Sequence, residues 1–186
     1  MGATATPLPA KLIVGMLSAR PELLATAAER LRREYGPLDI TGELMKWEFT
    51  HYYDEQMGTR LYRQFVAAEP LISPEAIGPI KQATNQMEAE FAAAAAPGGP
   101  PRPVNLDPGY VTESKLVLAS TKDYAHRIYL GGGVFAEVTL THARGRWMAH
   151  EHTFPDYASG AYDAFLTQVR DKLRRQLHPR RKEGGG

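Results

Sequence analysis

Three consecutive glycines, Gly131 to Gly133, stand between two runs rich in branched and aromatic residues, "HRIYL" (126–130) and "VFAEVTL" (134–140). A loop this short has no length for a crossover, and glycine supplies the positive φ angles of tight turns, so the two runs form a β-hairpin. The chain therefore contains an antiparallel sheet, and loop length sets which residues face each other. With a three-residue loop, Leu130 faces Val134, Tyr129 faces Phe135 and Ile128 faces Ala136. Arg127 then lies beside Glu137 on one face, while His126 falls on the other. A second hairpin turned at Arg144 and Gly145 sets Thr139 against His150 and Glu137 against His152. An exposed cross-strand ion pair contributes at most about 1 kcal/mol, so Arg127–Glu137 is a solvated contact unless other groups converge on it.

The rest of the chain alternates strands and helices. "KLIVGMLS" (11–18) reads as a buried strand, and "RPELLATAAERLRREYGP" as a helix with Pro21 in its first turn, stopped by Gly36 and Pro37. "GELMKWEFT" (42–50) alternates as a half-buried strand, "HYYDEQMGT" turns, and "RLYRQFVAAEPL" (60–71) returns as a strand. A helix follows whose regular part is expected from Pro79, with Ile80, Thr84, Met87 and Phe91 inward. Residues 92–103 read as a flexible Ala/Pro/Gly-rich connection. "VNLDPGYV" (104–111) is a strand entering an Asp-Pro-Gly turn, and "TESKLVLASTK" leans to a short helix capped by Thr112. Strands over 126–130, 134–142 and 146–154 form a meander, and an amphipathic helix closes the chain. The expectation is an α+β domain over 11–177: a ferredoxin-like β-α-β-β-α-β core extended by an antiparallel β-meander and a C-terminal helix. Residues 1–10 and the basic, glycine-ended 178–186 are expected to be flexible.

Composition narrows the function classes. In 186 residues, 43% are hydrophobic and 23% charged, the range of globular chains. With no cysteine there is no disulfide framework, thiolate metal site or cysteine nucleophile. No apolar run approaches a membrane span, "MGATATPLPA" lacks the pattern of a signal peptide, and the expected location is cytoplasmic, with no membrane partner. Residues 170–186 hold seven Lys or Arg against Asp171 and Glu183, which leaves the remainder net acidic. Such a tail adds affinity for phosphates but is read first as a solvated helix end.

The stretch 105–133 carries Asp107, Lys115, Lys122, Asp123, His126 and Arg127 among apolar residues. Nothing matches a phosphate loop, a nucleophile elbow or a dinucleotide fingerprint, so no cofactor is called for. Lys115, Lys122 and Arg127 are candidate contacts for an anion. His126, Glu137 and Asp107 are the candidate catalytic groups, His126 or Glu137 moving protons and Asp107 orienting a base. His126 joins the site only by sitting at the strand end, outside strict alternation. His150 and His152 with Glu137 would supply a two-histidine, one-carboxylate metal set, a weaker reading than no metal.

"FTHYYDEQMG", "VNLDPGYVTESKLVLASTKDYAHRIYL", "AEVTL" and "FPDY" together resemble a bacterial family catalogued as domain of unknown function 4416, from Lys11 to the last helix. The family has no established activity. The resemblance implies weight for Tyr52, Tyr53, Asn105, Asp107, Lys115, Lys122, Asp123, His126, Arg127, Glu137, Thr139 and Asp156, adding Tyr52 and Asn105 to the candidate ligand contacts. It gives none to His150 or His152. The leading expectation is an enzyme or binding protein for a small anionic, phosphorylated or nucleotide-like molecule. The alternatives are a non-catalytic ferredoxin-like module that binds RNA or a protein partner, with the tail adding nucleic-acid affinity, and a structural protein whose polar motif is a buried network.

Overall fold

The computed structural model describes residues 2–50 and 53–179. Strand β1 (Ala10–Ser18) leads to α1 (Pro21–Tyr35), then the short strands β2 (Leu38–Thr41) and β3 (Met45–Trp47) and one helical turn, α2 (Asp54–Met57). The long β4 (Leu61–Ile72) precedes α3 (Ile77–Ala93) and β5 (Asn105–Val111). Then come β6 (Lys115–Ser120), β7 (Ile128–Gly131), β8 (Val134–Ala143) and β9 (Arg146–Ala149), followed by α4 (Pro155–Ala158) and α5 (Asp163–Leu177). The strands make one antiparallel sheet in the order β2-β4-β1-β5-β6-β8-β7, with β3 also on β4 and β9 on β8. This nine-stranded sheet is larger than the ferredoxin-like core expected from the element order.

Period-two alternation along β1 divides the core. Val14 and Met16 pack with Leu24, Ala27 and Leu31 of α1 and Met87 of α3 on one face. Ile13 packs with Phe165, Leu166 and Val169 of α5 on the other. With helices on both faces, the central strands read as near-continuous apolar runs. "LVLA" in β6 is such a run, buried on both sides, and this corrects the short helix expected for "TESKLVLASTK": Leu116 and Leu118 join the α5 face and Ala119 the α3 face. A continuous apolar run carries no period to separate strand from buried helix.

The hairpin registers hold where ladders form. Ile128 pairs with Ala136 and Tyr129 with Phe135, but a register shift then sets Gly131, not Leu130, against Val134. The second hairpin turns at Arg144 and Gly145 as expected, both with positive φ, and pairs Ala143 with Arg146 through Leu140 with Ala149. There β9 ends. His150 and His152 therefore do not pair with Thr139 and Glu137; Thr153 instead caps a turn, its Oγ accepting from His150 N at 2.8 Å and donating to Thr139 O at 2.7 Å. Among the described residues no helix is long and apolar enough to cross a membrane.

Candidate functional site

The expected Asp-Pro-Gly turn does not exist: β5 runs straight through it to Val111. What Asp107-Pro108-Gly109 does instead is open the sheet. The β5–β6 ladder pairs Val111, Tyr110 and Gly109 with Leu116, Val117 and Leu118, then stops. At Gly109 the strands are close: a Cβ there would lie 2.5 Å from the Val117 carbonyl oxygen. The next residue, Pro108, has no N–H to offer a ladder. Two residues further, Leu106 spends its backbone groups on α3: its N–H donates to Glu88 Oε1 at 2.7 Å, and its carbonyl accepts from Lys81 Nζ at 2.8 Å. Backbone groups two residues apart point to the same side, so Pro108 is where the missing N–H would have met β6. Lys81, Asn85 and Glu88 share a helical face at i, i+4 and i+7, a polar stripe beside the apolar one.

The wedge between β5 and β6 is a cavity of about 410 Å³, within the usual size of small-molecule pockets. Its deep end is built on Arg63 of β4. That guanidinium, 4% exposed, reaches Asp107 at 3.2 Å and Asp156 at 3.5 Å. Gly15 leaves room for it: a Cβ at that position would stand 2.8 Å from the Phe65 ring and 3.0 Å from Arg63. Trp47 Nε1 and the Tyr162 hydroxyl both donate to Asp156 Oδ2, at 3.3 and 3.0 Å, and so fix α4 against β3. Asn105 Nδ2 donates to Asp107 at 2.6 Å. Burial pushes the Asp107 carboxyl up, but Lys81, Arg63, the Asn105 amide and Arg102 outweigh it, so its pKa is lowered. Tyr53 is pushed up to about 12 by burial and the Asp107 charge. Arg63 Nε and the Tyr157 hydroxyl are buried with no hydrogen-bond partner among the described residues, an omission that ordinarily costs about 1–3 kcal/mol each.

The wall belongs to Arg127 and Glu137, which are 3% and 2% exposed, so this is no surface pair. Arg127 Nε donates to Glu137 Oε2 at 2.7 Å, and its Nη1 donates to Ser120 Oγ and the Lys122 carbonyl. Its guanidinium lies over the Tyr124 ring at 4.6 Å and near Phe154 at 5.8 Å. Thr139 donates to Glu137 Oε1 at 3.2 Å. His126 Nε2 approaches Glu137 Oε2 at 2.9 Å, because β7 begins only at Ile128 and leaves His126 outside strict alternation. The His126 ring stacks on His152 at 4.3 Å between centroids.

Of the residues singled out in the sequence, Tyr53, Asn105, Asp107, Lys122, Arg127, Glu137 and Asp156 line this one cavity. His126 does not line it; it stands behind Glu137 and is 25% exposed. Lys115, at the other end of β6, is not part of the lining. Tyr52 lies outside the described residues. His150, His152 and Glu137 do not assemble: the described residues hold no metal-ligating group of three, and His152 Nε2 is engaged with the Val138 carbonyl. Sequence reasoning missed Arg63, Lys81 and Arg102 as cavity residues. The available signal was an inward-alternating arginine in "RLYRQF" and the i, i+4, i+7 polar stripe of α3. Arg102 comes from the supposedly flexible connection, where it bonds Glu88 and Asn105 and lies over the Tyr53 ring.

The family model described as "Domain of unknown function (DUF4416)" matches residues 8–173. The chain belongs to this family. The match takes in both sides of the wedge and the Asp156 turn. No curated protein and no solved structure matches the chain.

Proposed function

We propose that the cavity between β5 and β6 binds a small anionic molecule, phosphorylated or nucleotide-like, and that Glu137 exchanges a proton with it. The observation that carries this reading is the convergence of Asp107, Lys122, Arg127 and Glu137, distant in sequence, on one concave site. Five cationic side chains line it, Arg63, Lys81, Arg102, Lys122 and Arg127, against three carboxylates, Asp107, Glu137 and Asp156. A low-dielectric cleft with a cationic surplus attracts an anion. Glu137 lines the cavity, while the more exposed His126 behind it connects that carboxylate to solvent. In this role His126 supplies and removes the proton that Glu137 moves, and Asp107 holds Arg63, Lys81 and Asn105 in place. The order β2-β4-β1-β5 supports reading the first half as a ferredoxin-like unit to which β6–β9 and α5 were added, in a protein working in the cytoplasm.

The test is a melting-temperature screen with nucleotides, sugar phosphates and divalent metals, since a ligand specific to the native state raises the midpoint. A stabilising anion whose effect survives Glu137→Gln while turnover is lost supports both parts. No stabilisation by any anion overturns the reading. The alternative, a non-catalytic module for a protein partner, is favoured by one feature: edge strand β7 exposes Ile128 (73%), Tyr129 and Leu130.

A further inference from the structure

We infer that the ligand of this cavity is a phosphomonoester, its single phosphoryl group received at the deep end by Tyr157 and Arg63 and its flat, unsaturated remainder laid against Tyr124 and Phe154 at the mouth. The inference rests on the anion reading above and narrows it. The first argument is donor capacity. Among the described residues, the two cavity residues with an unpartnered buried polar atom are Arg63, through Nε, and Tyr157, through its hydroxyl. Both atoms carry a hydrogen to donate, and a phosphoryl group offers acceptor oxygens alone. Both atoms are buried within residues that line the cavity, so seating the group takes a side-chain adjustment there.

The second argument is charge. The lining carries five cations and three carboxylates, a surplus of two. Glu88, bonded to Arg102 from outside the lining, reduces that surplus to one when ionised. A phosphomonoester carries about −1.5 to −2 at neutral pH, bracketed by these limits, whereas a polyphosphate exceeds them. The third is shape. Tyr124 and Phe154 are both exposed rings flanking the Arg127 guanidinium, a stacking surface for a flat group. The cavity, about 410 Å³, takes one small ligand, and "LGGGV" turns a hairpin instead of forming the backbone cradle that polyphosphates use.

Melting curves with phenyl phosphate, inorganic phosphate, benzoate and tripolyphosphate test this. Phenyl phosphate is expected to raise the midpoint most. Tyr157→Phe is expected to melt no lower than wild type without additive, because the hydroxyl it removes has no partner among the described residues, yet to bind phenyl phosphate about tenfold or more weakly. Tyr124→Ala is expected to weaken phenyl phosphate and leave inorganic phosphate unchanged, and it decides the matter if Tyr157→Phe fails to fold. If no anion stabilises, the anion reading itself falls. If anions stabilise but benzoate or tripolyphosphate matches phenyl phosphate, or Tyr157→Phe keeps the full shift, the inference falls and the broader reading stands.

Discussion

Arg127 is the residue on which fold and site depend together. Its guanidinium is buried against Glu137, Ser120 and the Lys122 carbonyl, so Arg127→Met leaves a carboxylate buried without its charge partner. Breaking such a pair costs about 3–5 kcal/mol, and replacing both partners recovers much of it. Urea unfolding should therefore show Arg127→Met strongly destabilised and Arg127→Met/Glu137→Leu closer to wild type. An unchanged midpoint for the single variant would remove the network's structural role. Asp107 makes a pH prediction. Its folded pKa lies below the unfolded value near 3.8, so the stability it contributes is complete above that value. That stability is lost as pH falls through the folded pKa. Asp107→Asn should flatten the stability profile below about pH 4 relative to wild type, as read from melting midpoints. Neither residue's weight was visible in the hairpin register alone. Pairing placed Arg127 beside Glu137, but its burial also depends on Phe154 and the turn leading into α4, which arrive from elsewhere in the chain.

At the scale of elements, the decisive event is the parting of β5 from β6, and α3 makes it possible. Glu88 and Lys81 satisfy the Leu106 backbone in place of a strand. Glu88→Leu strands that N–H, at a cost of about 1–3 kcal/mol, and hydrogen exchange should show the Leu106 amide losing protection ahead of amides in the β1–β4 ladder. Equal loss throughout would mean that the stripe does not hold the wedge. Helices α1 and α5 were legible from periodicity, β1 from its run of branched apolar residues, β4 from weaker patterning and β8 from the glycine turn before it, and α1 begins at Pro21 and ends before Gly36 as the sequence indicates. The β5–β6 region was not. "DPG" has turn composition but lies within a strand, and "LVLA" has no period. The reason in both cases is tertiary: a helix supplies the hydrogen bonds, and two layers bury both faces. The split of the second strand into β2 and β3 was missed for the same cause, since both pair along the single long β4.

Across the whole molecule, charge is sorted by function. Cations of the C-terminal helix are tied to the body: Arg170 donates to the Glu113 carbonyl, Arg174 pairs with the Glu113 carboxylate, and Lys172 pairs with Asp39. On the same face of the sheet, buried Lys11 bonds Asp39, the Ala68 carbonyl and Gln176, and burial lowers its pKa. These groups hold α5 on the sheet. The groups of the wedge, by contrast, converge on a cavity. The wedge is proposed to bind a phosphomonoester. The most direct measurement is a titration of the ¹⁵N-labelled protein with phenyl phosphate, followed by amide chemical shifts. Binding there is expected to give the largest saturable changes at 105–109, 118–127 and 154–157, which enclose the cavity. Changes confined to the basic residues of 170–178, or none at all, would contradict it.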